Sequence, residues 1–486
     1  MEKFDTVIIG AGIGGLVAGC YLSKAGLKVL IVEQHYKPGG YCTSFERNGY
    51  DFDVGVHYFG GIKKGILGKI FKELNLISMI KLHQFDPTDK LVLPDNITFV
   101  RANANDTIKE FKISFPKEKN NIDKFFKYIL NSNFLKVYSE VKGMTFEKLL
   151  DAFFIDFRLK ATLGVLLSNI GTAPNKAAAF PCIVLFRQYI LDPGYYPRDG
   201  GIQKLPNALL NIFSKHGGQI IFSKKITKIL TKKSIVIGVE IDGQTKIKAN
   251  SVLSNADVIE TMNKLLDIKS KESNTIQNMT PSPSMFIVYL GLKDIDLNKN
   301  LGNNSNIYYF SSYDVNKYYS FPESKKRIHH TSNSIICSFP SLHSFCLHNK
   351  KHTASILKFA DYHPKKIWEK HKAIYMEEMI DKLCELIPSL RCHIDIKFAA
   401  TPRTLSRYTS NHKGAFSGWT TILHHMKSNL LPQKTSIKNL YLAGHWTTTG
   451  YLPFGGIPNV AYTGRRCAKL ILDDMKKEWT YSEINP

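Results

Sequence analysis

Asp5-Thr6-Val7-Ile8-Ile9-Gly10-Ala11-Gly12-Ile13-Gly14-Gly15 opens the segment that decides the fold. Val7 to Ile9 reads as a short buried strand. Gly10, Gly12 and Gly15 then satisfy G-x-G-x-x-G, with Gly14 inside the same turn. Leu16 to Ala25 reads as a helix stopped by Gly26, and Lys28 to Val32 as a second strand ending on Glu33. The glycines have separate tasks. Gly10 turns the chain sharply, Gly12 lets a pyrophosphate approach the backbone, and Gly15 brings helix and strand close. The phosphates would face unpaired N–H groups at a helix N-terminus. Glu33 stands where a carboxylate accepts hydrogen bonds from an adenosine ribose. Strand, glycines, helix, strand and acid in register predict a dinucleotide site.

A chain of 486 residues exceeds one ordinary core, so two linked domains are expected. No apolar run reaches the roughly eighteen residues that a spanning helix needs. The first strand begins near Asp5, which leaves no room for a signal peptide in this sequence. Eight scattered cysteines without C-x-x-C indicate a reducing compartment, here the cytoplasm, and no disulfide framework or zinc finger. The net charge of +24 fits a solvated lysine-rich surface or attraction to an anionic membrane. Dispersed lysines without a recognition helix or RNP-type aromatic motif argue against nucleic acid.

Outward from Glu33, Pro38-Gly39-Gly40-Tyr41 forms a tight loop where backbone must pass close to a ligand. Thr43 to Asp53 reads as a hairpin turning at Asn48-Gly49. Residues 62 to 190 are rich in Phe, Leu, Ile and Lys, with helices expected near Gly65–Leu74, Asn121–Tyr138 and Phe146–Leu167. The last reads as core or tunnel wall, or as a helix lying in a membrane surface. An α/β pattern returns at Tyr195 with a helix from Lys204 to Lys215, strands joined at Asp242-Gly243, and Val252 to Ala256. A strand is expected from Met285 to Leu292, a loop-heavy region from Asn298 to Thr331, and a helix from His363 to Ile387. Leu440 to Gly444 reads as a strand ending in glycine, followed by a glycine loop and a helix from Ala461 to Met475.

These segments together resemble the FAD-dependent carotenoid desaturase and isomerase family, which includes retinol saturase. The resemblance rests on Glu33-Gln34-His35, Gly39-Gly40 and Asp53-Val54-Gly55-Val56-His57-Tyr58 near the start. It continues through Tyr196-Pro197, Gly200-Gly201-Ile202-Gln203, Thr401-Pro402 to Tyr408-Thr409, Leu440 to His445 and Gly455-Gly456-Ile457-Pro458. It implies an α/β fold: a Rossmann-type FAD-binding domain from residues 1–61, 190–262 and 400–486. An interleaved α+β substrate-binding or membrane-facing domain would come from 62–189 and 263–399. Gly10, Gly12, Gly14, Gly15, Glu33 and Gln34 would hold the ADP half of FAD, and Gly39 and Gly40 would pass beneath the flavin half. The Ile226 backbone would meet adenine, Gly444 would sit near the ribityl or pyrophosphate, and Gly456, Ile457 and Pro458 would border the isoalloxazine. Tyr41, Asp199 and Tyr451-Leu452-Pro453-Phe454 depart from the family pattern.

The resemblance implies an FAD-dependent oxidoreductase acting on carbon–carbon bonds of a long apolar polyunsaturated substrate, a carotenoid, retinoid or related lipid, at a site in peripheral contact with an anionic membrane on its cytoplasmic side. Desaturation, saturation and cis–trans isomerisation stay open, as does the oligomeric state. Alternatives are a flavin amine oxidase or protoporphyrinogen-oxidase-like enzyme, and a flavin-binding protein without turnover. His57 and Tyr58 are the candidates for catalysis; Asp53 and Glu46 read as turn residues rather than proton carriers. His343, Cys346, His348 and His352 have metal-like spacing, but no metal is expected there. His424-His425 reads as surface. The lack of a second dinucleotide fingerprint argues against a dedicated NAD(P) domain.

Overall fold

The computed structural model describes residues 3–319, 334–343, 351–427, 431–448 and 455–482. Two seven-stranded sheets organise the chain. The first is built on β1 (Lys3–Ile9), which pairs in parallel with β2 (Val29–Val32) on one side and with the strand Thr245–Ser254 on the other. Gln219–Ile221 extends it beyond β2, and Leu440–Leu442 pairs in parallel with Thr245–Ser254. Ile226–Lys232 and Ile235–Ile241 add an antiparallel edge. β1 is buried on both faces: Ile8 packs with the helix α1 (Ile13–Lys24), whereas Val7 and Ile9 face the opposite core. A parallel strand covered on both sides reads as a continuous apolar run, which is what Val7-Ile8-Ile9 is.

α1 starts three residues before the expected Leu16 and ends at Lys24, one residue before the expected Ala25. Gly15 has to be glycine for proximity: a Cβ there would lie 2.3 Å from the Gly10 carbonyl oxygen. The last helix, Ile457–Asp474, lies against α1 and begins four residues earlier than expected. Its Gly464 meets Gly14, with a Cβ on Gly464 falling 2.1 Å from the Gly14 carbonyl oxygen.

The second sheet runs Ile394–Ala400, Ser284–Lys293, Lys351–Ala360, Ile335–Ser338, Asn306–Tyr309, Asp89–Leu93, Asn96–Val100. Its central strand alternates with period two. Phe286, Val288, Leu290 and Leu292 pack on the side of the helix Lys365–Leu386, while Ile287 and Tyr289 face a core shared with the helical segment 104–191. The loop-heavy reading of Asn298–Thr331 missed the helix Leu297–Leu301 and the strand Asn306–Tyr309; residues from 320 onward in that stretch lie outside the description.

Both predicted hairpins are present, and for the expected reason. Asn48 and Gly49 have φ of 52° and 75°, Asp242 and Gly243 of 49° and 71°. Two consecutive positive φ values are the signature of the tight turn whose twist matches paired strands. Two long helices were expected where the chain makes pairs of shorter ones. Lys119–Asn131 stops at Ser132, and Asn133 starts Phe134–Val141 by accepting the Leu135 N–H at 2.9 Å. Phe146–Phe153 gives way to Phe157–Val165, whose N-cap Asp156 accepts the Arg158 N–H at 2.8 Å. Asn and Asp bonding to their own following backbone compete with continuation of a helix, and apolar periodicity does not register that competition. Phe154, Leu163, Leu166 and Leu167 are core, whereas Phe157 and Ile155 are exposed.

A candidate flavin site with an apolar arm

A cavity of about 780 Å³ lies where the first sheet's glycine loops approach the second sheet. One end is backbone-rich. Gly10, Gly12, Glu33, Gln34, Gly39, Gly40, Ile226, Gly444, Gly456 and Ile457 all line it. The loop after β2 folds back on the first glycine turn, with the Gly39 N–H donating to the Ala11 carbonyl at 2.9 Å. Gly39 has φ of 128°, and a side chain there would also strike the Cys42 carbonyl. Glu33 ties this end together. Its Oε2 accepts the Ala11 N–H at 2.6 Å and its Oε1 the His35 N–H at 2.8 Å. Burial raises the Glu33 carboxyl above its ordinary range, against the lowering effect of these backbone bonds.

Three of the expected ligand-binding residues stand elsewhere. Gly14 is occupied by packing against Asn255, Gly444 and Val460, and Gly15 against the Gly10 backbone. Pro458 occupies the second position of its helix. None of the three lines the cavity. Their spacing is indistinguishable from that of the lining glycines, because sequence does not say on which side of a turn a neighbour will pack.

Several lining residues carried no sequence signal of their own. Asn255, just after Thr245–Ser254, sits among Gly10, Gly12, Gly14 and Gly444, and its buried Oδ1 has no hydrogen-bond partner among the described residues. His445 lies next to Gly444. Asn411 Oδ1 accepts from Trp446 Nε1 at 2.8 Å and lies 3.0 Å from His445 Nε2. Since that oxygen only accepts, His445 Nε2 carries the hydrogen. Burial lowers His445 to about 4, so the ring is neutral at pH 7. His57 lines the same cavity, also lowered to about 4 by burial. Neither histidine is a cation there.

The other end is apolar. Ile287, Met285 and Leu357 from the second sheet, with Phe398, Phe416 and Val56, form its walls. Tyr58, Tyr289 and Tyr308 also line it. Tyr289 donates to the Val54 carbonyl at 2.6 Å, and Tyr58 to Asp89 Oδ2 at 2.8 Å. Asp53 is instead held by Ser44, Tyr196 and the Ile202 N–H, the structural role expected of it. Tyr41 lines the cavity, its hydroxyl 3.1 Å from the Gly414 and Ala415 carbonyls.

The expectation for the paired histidines needs correcting. His424 is exposed, but His425 is buried, with Nε2 accepting the Thr280 N–H at 3.1 Å and Nδ1 2.7 Å from the Thr420 carbonyl. The reason is tertiary: the ring bridges two loops that are distant in sequence. Of the metal-like constellation, Cys346 and His348 and the side chain of His343 lie outside the described residues, as does Tyr451 to Phe454. His352 bonds to Ser341, with Nδ1 at 3.2 Å. Among the described residues no group of His, Cys, Asp and Glu could hold a metal, and no helix is long and apolar enough to cross a membrane.

The residues present suit FAD. α1 begins at Gly12 and the last helix at Gly456, neither with a side-chain cap, and both glycines line the cavity. Uncapped first turns leave N–H groups that favour phosphate or other negative charge. Among the described residues, a Cβ on Gly456 would meet no atom within 4 Å.

Comparison with known proteins agrees. The profile of the family "Flavin containing amine oxidoreductase" matches residues 13–472. Prolycopene isomerase 2, chloroplastic, of an Oncidium hybrid cultivar is 27% identical, over 98% of this chain and 84% of its own length. All-trans-retinol 13,14-reductase of Rattus norvegicus is 25% identical over 91% of this chain and 82% of its own. These relatives bear out the resemblance drawn from the motifs. Among solved structures, an oxidoreductase from Methanosarcina mazei superposes with a TM-score of 0.66 at 18% identity, covering 98% of this chain and 100% of its own. Cyclohexylamine oxidase from Brevibacterium oxydans gives 0.63 at 12% identity, with coverage of 98% and 100%. The glycine-lined end, its two uncapped helices and a family match across nearly the whole chain lead to one assignment: the chain belongs to the flavin containing amine oxidoreductase family and is an FAD-dependent oxidoreductase.

Proposed function

We propose that the enzyme changes the bonding of carbon–carbon double bonds in a long apolar polyene, a carotenoid, retinoid or related lipid. The observation that carries this reading is the apolar arm, continuous with the flavin end and walled by side chains such as Ile287, Leu357 and Phe416. A polyene gains from burial there at about 25 cal/mol per Å² of apolar surface. The prolycopene isomerase and retinol reductase relatives support the substrate class.

In this reading, residues 1–61, 190–262 and 400–486 form the FAD domain. Their support is that the strands of the first sheet all come from these ranges. Residues 62–189 and 263–399 hold the substrate. Gly10, Gly12 and the start of α1 take the pyrophosphate, Glu33 the ribose hydroxyls, and the Ile226 backbone the adenine. Gln34 flanks the ribose side, Gly39 and Gly40 pass beneath the flavin, Gly444 approaches the ribityl chain, and Gly456 and Ile457 border the ring. The bound cofactor supplies hydride exchange with a substrate carbon. The apolar walls orient the polyene and exclude water, and His57 and His445, lowered by burial, add no charge to the arm. His57 and Tyr58 are the side chains offered for catalysis.

The test is anaerobic incubation of oxidised and reduced holoenzyme with all-trans-retinol and with a cis-lycopene, followed by mass analysis. Loss of two hydrogens means desaturation, gain means saturation, and unchanged mass with altered retention means isomerisation. No altered polyene in either redox state sinks the reading.

Substrates of this kind dissolve in membranes, and the enzyme meets them at an anionic bilayer surface on its cytoplasmic side. Exposed Leu135, Ile155 and Phe157 in the helical segment, on a chain of net charge +24, support that contact. Holoenzyme is expected to sediment with vesicles containing anionic lipid and to be released as salt rises, because exposed charges are screened within about 10 Å at 0.1 M. Equal sedimentation with neutral vesicles rules out charge-driven contact.

A further inference from the structure

The apolar arm contains one hydroxyl backed by a buried acid. Asp89 is the first residue of the strand Asp89–Leu93 and is fully buried. Its Oδ2 accepts the Tyr58 hydroxyl at 2.8 Å, while its Oδ1 has no hydrogen-bond partner among the described residues. Tyr308, on the neighbouring strand, places its hydroxyl beside that of Tyr58. Tyr58 and Tyr308 both line the cavity; Asp89 lies behind them. A carboxylate so placed would have only one hydrogen bond where water would have given it several, and an unpartnered buried charge is costly.

The geometry points to Tyr58 as the catalytic proton donor and acceptor for the substrate carbon next to the one that exchanges hydride, with Asp89 as the acid that recharges it. The proposal rests on the polyene reading and adds the proton half of the reaction. In saturation, the reduced cofactor provides the hydride. The hydride brings its own electron pair to one carbon; the Tyr58 O–H bond breaks, and the π pair of the double bond takes up that proton to form the C–H bond at the adjacent carbon. With Asp89 neutral, its Oδ2–H donates along the same 2.8 Å contact and leaves the Tyr58 hydrogen free for substrate; once that hydrogen is given up, the Oδ2 proton moves to the Tyr58 phenolate, and the Asp89 carboxylate regains a proton from solvent. Substrate gains one hydride and one proton, and the cofactor is oxidised by two electrons. Desaturation runs the same transfers in reverse.

The groups facing Asp89 agree with a stored proton. They are Tyr58 from the loop after the hairpin and Tyr308 from the adjoining strand, with Tyr318 and Tyr319 behind Tyr308. Burial pushes the Asp89 carboxyl up to about 8, with the Tyr58 hydrogen bond pulling it only partly back. At pH 7 it therefore holds a proton. As pH rises through about 8 that proton is lost, so proton donation fades on the alkaline side. Proton-donating steps of this kind contribute about 10²- to 10⁴-fold.

The test uses FAD-loaded wild type, Tyr58→Phe and Asp89→Asn. Infrared difference titration reads the acid without substrate. A protonated-carboxyl band that disappears near pH 8 in wild type and is absent from Asp89→Asn supports the couple; no such band in wild type overturns it. Turnover is then measured with all-trans-retinol in D2O, where saturation should place one solvent deuterium beside the hydride-bearing carbon. Both variants should keep their flavin content, Tyr58→Phe should lose at least a hundredfold in rate, and Asp89→Asn should lose the alkaline limb near pH 8. Rates within threefold of wild type in both variants overturn the proposal. Wild type that carries the carboxyl band but converts no polyene contradicts the polyene reading and leaves the couple supported by the titration.

Discussion

Glu33→Ala protein is expected to purify with most of its FAD missing. The substitution removes three things at once. The Ala11 and His35 N–H groups lose the oxygens they donate to at 2.6 and 2.8 Å. The glycine turn and the end of β2 lose the bridge that sets their spacing. The ribose contact proposed above loses its acceptor. Hydrogen bonds to a charged group contribute about 1.5–3 kcal/mol each, and every 1.4 kcal/mol is tenfold in affinity. FAD affinity should therefore fall on the order of a hundredfold or more, measured by titrating apoprotein with FAD and following protein fluorescence. Glu33→Gln keeps one accepting oxygen and should fall less. The pH dependence has a definite sign. Burial raises the Glu33 carboxyl, and acceptance from ribose needs the charged form. FAD retention should weaken on acidification at a higher pH than an exposed glutamate would dictate. Wild-type affinity in Glu33→Ala would remove the ribose contact from the account.

Gly464→Val should prevent accumulation of folded holoprotein. The new Cβ would lie 2.1 Å from the Gly14 carbonyl oxygen and 3.0 Å from its carbonyl carbon, both backbone atoms. α1 has little room to shift, because Gly15 packs so closely on the Gly10 backbone that even a Cβ there would lie 2.3 Å from the Gly10 oxygen. Overpacking of a tight contact costs about 1–3 kcal/mol and sometimes more; here the obstacle is main chain on both helices, so about 3 kcal/mol or more is expected. Because both helices begin at the cavity, separating them also displaces Gly12 and Gly456. Soluble yield, flavin absorbance and thermal unfolding should all fall, with Gly464→Ala lying between the extremes. A Gly464→Val protein that melts with wild type and carries full flavin would exclude this crossing as the point that closes the site.

The two expected results differ in how visible their causes were. Glu33 was legible because its partners are local in the chain: a strand, a glycine turn, a helix and a second strand follow one another within thirty residues, and each has its own pattern. The hairpins at Asn48-Gly49 and Asp242-Gly243 were legible for the same reason, since two residues decide the turn. Gly464 carries no such sign. Its need to be glycine comes from Gly14, some 450 residues away, through a helix crossing that no local pattern describes.

The same division separates the halves of the cavity. The flavin end could be anticipated from motifs, although Gly14, Gly15 and Pro458 prove to stand off its wall. The apolar arm could not. Tyr58 follows a glycine-flanked turn, Asp89 opens a strand in the second sheet, and Tyr308 lies in a segment that read as loop. The parallel pairing of Asn306–Tyr309 with Asp89–Leu93 brings Tyr308 near the acid, and Tyr58 reaches Asp89 from the loop after the hairpin. By itself, then, the sequence determined the dinucleotide unit, the hairpins and the class of cofactor, because short-range backbone geometry and unpaired helix ends dictate them. Tertiary structure alone decided which glycines line the cavity and which pack against a helix, which histidine is buried, and that a carboxyl from one strand meets a hydroxyl from a distant loop, because burial and partnership are properties of packing between segments far apart in the chain.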